Sequence, residues 1–249
     1  MGNFVLVPGF WLGGWAWRDV ERILRENGHN VFPATLTGLG ERVHLANKEI
    51  SLDTHVADVV NLIEYNELDE VYLAGHSYGG VLITQIADLI PEKISKLIYI
   101  DSAPLPDGAA LIDFYDAQQR EMFEKIASEN DGFVPLPEKD SPLLLETLQD
   151  VSDEDWKRFQ NLATAQPFNV AYQKLDLKNP NRKDLKKLAI LCTFPLEQVK
   201  KLIESGAPLF QELNEPNFEF AELPTGHYPM FSRPHELADL LIKSVEKES

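Results

Sequence analysis

The sequence predicts an α/β protein: a mostly parallel, doubly wound sheet of about six strands with one helical insertion. Three observations predict it. Short apolar runs alternate with amphipathic stretches up to about residue 100; no strand-like run occurs from residue 102 to about 186; the alternation resumes at residue 188. Phe4, Val5, Leu6 and Val7 read as a buried strand closed by Pro8 and Gly9. Residues 15–26 place Trp17, Val20, Ile23 and Leu24 at helical spacing and end at Gly28. Val31 and Phe32 make a short second strand. Asp53 or Thr54 caps a helix through Tyr65, with Val56, Val59, Val60 and Ile63 facing inward. Residues 71–74 are the third strand, 81–90 a helix stopped by Pro91, and 97–100 the fourth strand. Right-handed crossovers are the default connections.

In the insertion, helical patterns at 111–128, 141–149 and 153–163 are separated by Pro-rich links such as 134–137. A strand at 188–193, a helix at 197–204, a strand at 218–223 and a helix from about Pro234 to Val245 complete the chain, the last with Pro in its first turn. The expected organisation is a core of residues 1–101 and 187–249 with a helical cap of residues 102–186.

Composition narrows the function. A net charge of −17 argues against nucleic acid and anionic membrane surfaces, both of which attract basic patches. The acidic runs 146–155 and 246–249 read as solvated helix faces. The lone Cys192 excludes an intramolecular disulfide and a Cys-rich metal site. The N-terminus lacks the basic start and long apolar core of a signal peptide, and no stretch of eighteen apolar residues spans a membrane. The expectation is a soluble, cytoplasmic monomer or homodimer acting on a small molecule.

The chemistry lies in Gly75-His76-Ser77-Tyr78-Gly79-Gly80, a Gly-x-Ser-x-Gly directly after a strand and directly before a helix. So tight a turn strains the Ser backbone and excludes side chains on either side of it. Gly75 and Gly79 meet that need, Gly80 lets the helix approach the sheet, and Ser77 is presented above the strand ends as a nucleophile. Developing negative charge is favoured there by the helix N-terminus.

Together with Ser77, four stretches carry a resemblance: residues 4–17, 36–42, 75–80 and Thr225-Gly226-His227. They resemble the α/β-hydrolase superfamily, and within it the esterase branch that holds plant methylesterases, hydroxynitrile lyases and their bacterial relatives. Hydrolases of this fold order their triad Ser, acid, His. Of the six histidines, His227 sits after the last strand and before the last helix, where a side chain reaches back over the strand ends. His29 follows Gly28 as a helix-end residue, His44 and His55 face solvent or a loop, His235 opens a surface helix, and His76 fills the variable position of the elbow.

Acyl transfer builds charge on a carbonyl oxygen that two backbone N–H donors stabilise. Tyr78, after the nucleophile, supplies one; the resemblance implies that Phe10 supplies the other. This chain has Pro8-Gly9 where many of the family have His-Gly, which leaves the backbone donor and removes a side chain from the pocket. Trp11 is a candidate pocket wall. The acid has two candidates. Residues 191–198 hold no Asp where the branch often shows one, and their nearest carboxylate, Glu197, suits a helix start. Asp101 closes the apolar strand after the nucleophile helix, the position used by haloalkane dehalogenases, and ranks first; its alternative there is a loop cap.

The resemblance implies a serine esterase cleaving small carboxylic esters through an acyl-enzyme, with no metal or organic cofactor. Two alternatives stand beside it. A hydroxynitrile lyase needs a Lys after the catalytic His, where this chain has Tyr228. A slow, receptor-like hydrolase needs a docking surface, which nothing in the sequence marks out.

Overall fold

The computed structural model describes residues 1–145 and 147–246, so Glu146 and residues 247–249 of the two acidic runs lie outside the described residues. The chain opens with β1 (Asn3–Val7), whose last four residues are buried. A single 3-10 turn, Gly14–Trp17, follows before α1 (Arg18–Glu26), so the predicted helix at 15–26 begins three residues late. β2 (Asn30–Pro33) leads through a loop to α2 (Leu52–Tyr65). Its cap is Ser51, and neither Asp53 nor Thr54 takes that place. Thr54 instead serves as the third helical residue of a reciprocal capping box with Ser51.

β3 (Val71–His76), α3 (Tyr78–Leu89) and β4 (Ile94–Ile100) follow with hardly a loop between them. After the segment between β4 and the next core strand come β7 (Lys186–Leu191), α6 (Leu196–Glu204), β8 (Phe218–Glu222), the short α7 (Pro229–Ser232) and α8 (Pro234–Glu246). The six core strands form one parallel sheet in the order β2-β1-β3-β4-β7-β8. Helix α3 is buried along nearly its whole length, which its apolar sequence requires.

The segment between β4 and β7 behaves differently. It holds α4 (Ala117–Glu129), a two-stranded antiparallel ribbon of β5 (Phe133–Val134) and β6 (Gln166–Pro167), and α5 (Asp153–Leu162) between them. Residues 111–114 form a 3-10 turn, so the helix predicted from residue 111 starts at Ala117, where Asp116 caps it. Where a helix is predicted at 141–149, the described residues 141–145 and 147–149 form bends and turns. The physical reason lies outside that stretch: the N–H of His227 donates to the Thr147 carbonyl at 2.7 Å and that of Gly226 to the Gln149 carbonyl at 3.2 Å. Those carbonyls serve a distant loop, and tertiary contacts override local periodicity.

Register fixes where the strands end. Val7 pairs with Gly75, His76 with Ile100, Ile100 with Ile190, and Leu191 with Glu222. The carboxyl ends of five neighbouring strands therefore form one ledge, the usual ligand edge of an open α/β sheet.

Candidate active site

Ser77 lies one residue beyond β3 at φ 53°, ψ −120°, in the positive-φ region that a residue with a side chain occupies only under strain. Three hydrogen bonds hold it there. Its N–H donates to the Ile100 carbonyl at 3.2 Å, and its own carbonyl accepts from the Gly80 N–H at 2.9 Å and the Ser102 hydroxyl at 2.7 Å. The glycines are sterically required: a Cβ on Gly75 would stand 2.4 Å from the Gly79 carbonyl oxygen, and one on Gly79 2.6 Å from that of Val7. A Cβ on Gly80 would meet the Ser102 hydroxyl at 2.1 Å.

His227 follows β8 in the turn before α7. Its Nδ1 faces Oδ2 of Asp101 at 2.5 Å, a contact in which Nδ1–H donates to the carboxylate. Asp101 ends β4, also at positive φ (43°), and its N–H extends the sheet ladder to the Ile190 carbonyl. Its second oxygen, Oδ1, accepts from the N–H groups of Cys192 and Thr193, both at 3.0 Å, and the Thr193 hydroxyl bonds the same carboxyl. Burial favours the protonated acid, but the hydrogen bonds from His227, Thr193 and Cys192 outweigh it. They hold the Asp101 carboxyl well below the usual carboxylate range. These two N–H groups turn away from the sheet, so β7 ends at Leu191 and not at the predicted residue 193. Glu197 is exposed in the first turn of α6, 2.8 Å from Lys201 one turn on.

Ser77, His227 and Asp101 line a single cavity of about 350 Å³. Phe10, Trp11 and Tyr78 line it too. The loop after β1 passes directly beside the serine, since a Cβ on Gly9 would stand 2.9 Å from the Ser77 Cβ. Trp11 has φ 66°; its N–H donates to the buried Gln166 side chain at 3.3 Å and its indole N–H to the Val134 carbonyl at 2.9 Å. The β5–β6 ribbon thus anchors this loop. Among the described residues no group of three or more His, Cys, Asp or Glu is gathered to hold a metal ion.

His55 faces the loop after β2 and not solvent: it is fully buried, donates Nε2–H to the Thr37 carbonyl at 3.0 Å and accepts the Tyr78 hydroxyl at Nδ1, 3.1 Å away. Burial pushes its pKa down to about 4, so it is neutral. Its spacing to Val59 and Ile63, one and two turns on, carried that signal in the sequence. His76 donates Nε2–H to the His227 carbonyl at 2.6 Å, with ring centres 4.7 Å apart, so the elbow's variable residue steadies the loop bearing His227. Burial and the neighbouring His227 hold it neutral. His29 caps α1 through its backbone, its N–H donating to the Leu24 carbonyl at 3.1 Å, while its ring accepts the Gly2 N–H.

Residues 4–240 match the Alpha/beta hydrolase family. The chain belongs to that family. Among relatives of this α/β-hydrolase, the carbendazim-hydrolysing esterase of Nocardioides sp. strain SG-4G is 49% identical over 112 residues, 45% of this chain and 46% of that one. The putative chloroplastic methylesterase 11 of Arabidopsis thaliana is 26% identical over 254 residues, 97% of this chain and 63% of that one. The chain thus spans between about half and two thirds of the length of these relatives. An extracellular α/β-hydrolase from a Paenibacillus species shares the fold, with a TM-score of 0.80 at 24% identity and 98% of each chain covered. No helix of the described residues is long and apolar enough to cross a membrane.

Proposed function

We propose that this α/β-hydrolase is a serine carboxylesterase acting on small, largely apolar esters through a Ser77–His227–Asp101 triad. The observation that carries the reading is the 2.5 Å bond between His227 and Asp101 on the ledge that also presents Ser77. An ionised Asp101 fixes the imidazole with its lone pair on Nε2, the form that accepts the serine proton. Ser77 attacks the acyl carbon; His227 takes the proton and returns it to the leaving alcohol. Water, activated by His227 in turn, then hydrolyses the acyl-enzyme. The Phe10 and Tyr78 N–H groups form the oxyanion hole. Gln166 already takes the N–H of Trp11, which leaves the preceding residue as the donor of that loop.

Glu197, exposed and paired with Lys201, serves its own helix. Residues 102–186 act as the cap, because Leu105, Tyr115, Phe123 and Leu144 close the cavity above the serine. Named functions of relatives, a carbendazim-hydrolysing esterase and putative methylesterases, agree with ester cleavage. The lyase alternative lacks its cation: Tyr228 is buried, and burial pushes its hydroxyl pKa far above neutrality.

The test is labelling with a fluorophosphonate followed by peptide mass analysis, beside steady-state hydrolysis of p-nitrophenyl acetate. The expected results are modification of Ser77 and continuous turnover. An unmodified Ser77, or one stoichiometric burst without turnover, would overturn the esterase reading.

A further inference from the structure

Two phenols in the cavity wall pack by their rings alone. Tyr228 is 3% exposed, and its ring is packed between His227 (centres 5.3 Å apart), Phe159 (5.0 Å) and His76 (5.6 Å). Tyr115, from the segment between β4 and β7, stacks on Phe123 at 4.8 Å. Both line the cavity that holds Ser77. Among the described residues, neither hydroxyl has a hydrogen-bond partner. The other cavity phenol, Tyr78, is bonded to His55.

A buried hydroxyl left without a protein partner is costly, and native proteins keep few of them. Phe in place of either Tyr would fill the same space without that cost. The two hydroxyls also sense each other electrostatically: burial first, then Tyr115, raises the Tyr228 pKa. They are therefore neutral donors on residues that line one largely apolar cavity, and a neutral acceptor suits them better than a carboxylate, whose own desolvation no cation among the described lining residues offsets.

We propose that the Tyr115 and Tyr228 hydroxyls form a polar subsite binding a neutral acceptor oxygen, such as an ether or ketone, on the apolar part of the ester substrate. The proposal rests on the esterase reading for the identity of that ligand. It makes this enzyme selective for oxygenated esters over hydrocarbon ones of equal shape.

Matched pairs test it: methyl 2-, 3- and 4-methoxybenzoate against the corresponding ethyl-substituted benzoates, where an ether oxygen replaces one CH₂. Binding is measured on Ser77→Ala protein, alone and with Tyr228→Phe or Tyr115→Phe added; turnover is measured on the Ser77 protein. For at least one isomer, each Phe variant shifts the methoxy-to-ethyl affinity ratio toward ethyl by about 5-fold, the size of one hydrogen bond. A merely structural role would weaken both members of a pair alike. The ligand-free Phe variants keep or raise the thermal midpoint, since no bond is lost.

An unchanged ratio for all isomers, absent binding of every ester, or a midpoint drop above about 3 °C would overturn the subsite. A shifted binding ratio without turnover of any ester by wild type would leave the subsite standing and remove the esterase reading instead.

Discussion

The sheet ledge and the segment between β4 and β7 divide the labour of one cavity, and they are built by different rules. On the ledge, Ser77, Asp101 and the loop after β1 each follow a strand whose register is fixed by its neighbours. Two strained residues, Ser77 and Asp101, each extend the ladder by one hydrogen bond, so regular structure pins irregular geometry. The segment has only a two-residue ribbon, two helices and turns, held by side chains such as Gln166. Its contribution is shape. The lesson is that the groups proposed to react stand where hydrogen-bond ladders end, while Tyr115, proposed to help select a substrate, stands on a segment with little ladder of its own.

Four experiments can break or sharpen that division. The largest effect is expected from Ser77→Ala, which lowers kcat for p-nitrophenyl acetate by about 10⁴–10⁶-fold and leaves the thermal midpoint nearly in place, since Ala keeps the Cβ and with it the backbone strain. Residual activity within tenfold of wild type would move the chemistry off the ledge.

Next is Asp101→Asn, expected to lower kcat by about 10⁴-fold through the wrong imidazole tautomer, while Glu197→Gln changes it less than about tenfold. The reverse pattern would place the acid after β7. Asp101 also links charge to stability. Its folded pKa is depressed to about 2 from an ordinary 3.8, so the unfolded chain binds the proton more readily. About 2 kcal/mol of stability is thus present above about pH 4 and lost as pH falls toward 2. Urea melts of wild type and Asp101→Asn should converge across that window, and parallel curves would contradict the assignment.

Third, Gln166→Leu leaves the Trp11 N–H buried and unpaired, at about 1–3 kcal/mol of stability. If the ribbon positions the oxyanion loop, kcat falls with it; a stability loss at unchanged kcat would confine the segment to shape alone. The smallest effect belongs to Phe194→Ala at the exposed cavity wall, expected to alter KM for longer acyl esters by less than about tenfold with kcat little changed.

The same contrast explains what the sequence made legible. Apolar runs bounded by Gly and Pro marked every core strand, and the spacing Gly75-x-Ser77-x-Gly79 marked the elbow because steric exclusion leaves only glycine there. Asp101 stood out as a carboxylate closing an all-apolar strand, though a sequence cannot show the N–H groups of Cys192 and Thr193 that hold it. The turns at 141–145 and 147–149 were misread as helix because their carbonyls bond to Gly226 and His227, some eighty residues further along. Likewise, no local pattern ties His76 to the carbonyl of His227.

The grip of Asp101 on the loop after β7 has a consequence for how such an enzyme is altered. The carboxylate takes the backbone of Cys192 and Thr193, while the residues that follow, Phe194 and Pro195, keep their side chains exposed beside the cavity mouth. That loop is held by its backbone at both ends, by Asp101 at its root and by the start of α6 at its tip, while the side chains between them stand in solvent. It is a place where breeding or laboratory evolution can rewrite the chain, residue by residue, and leave the machinery beneath undisturbed.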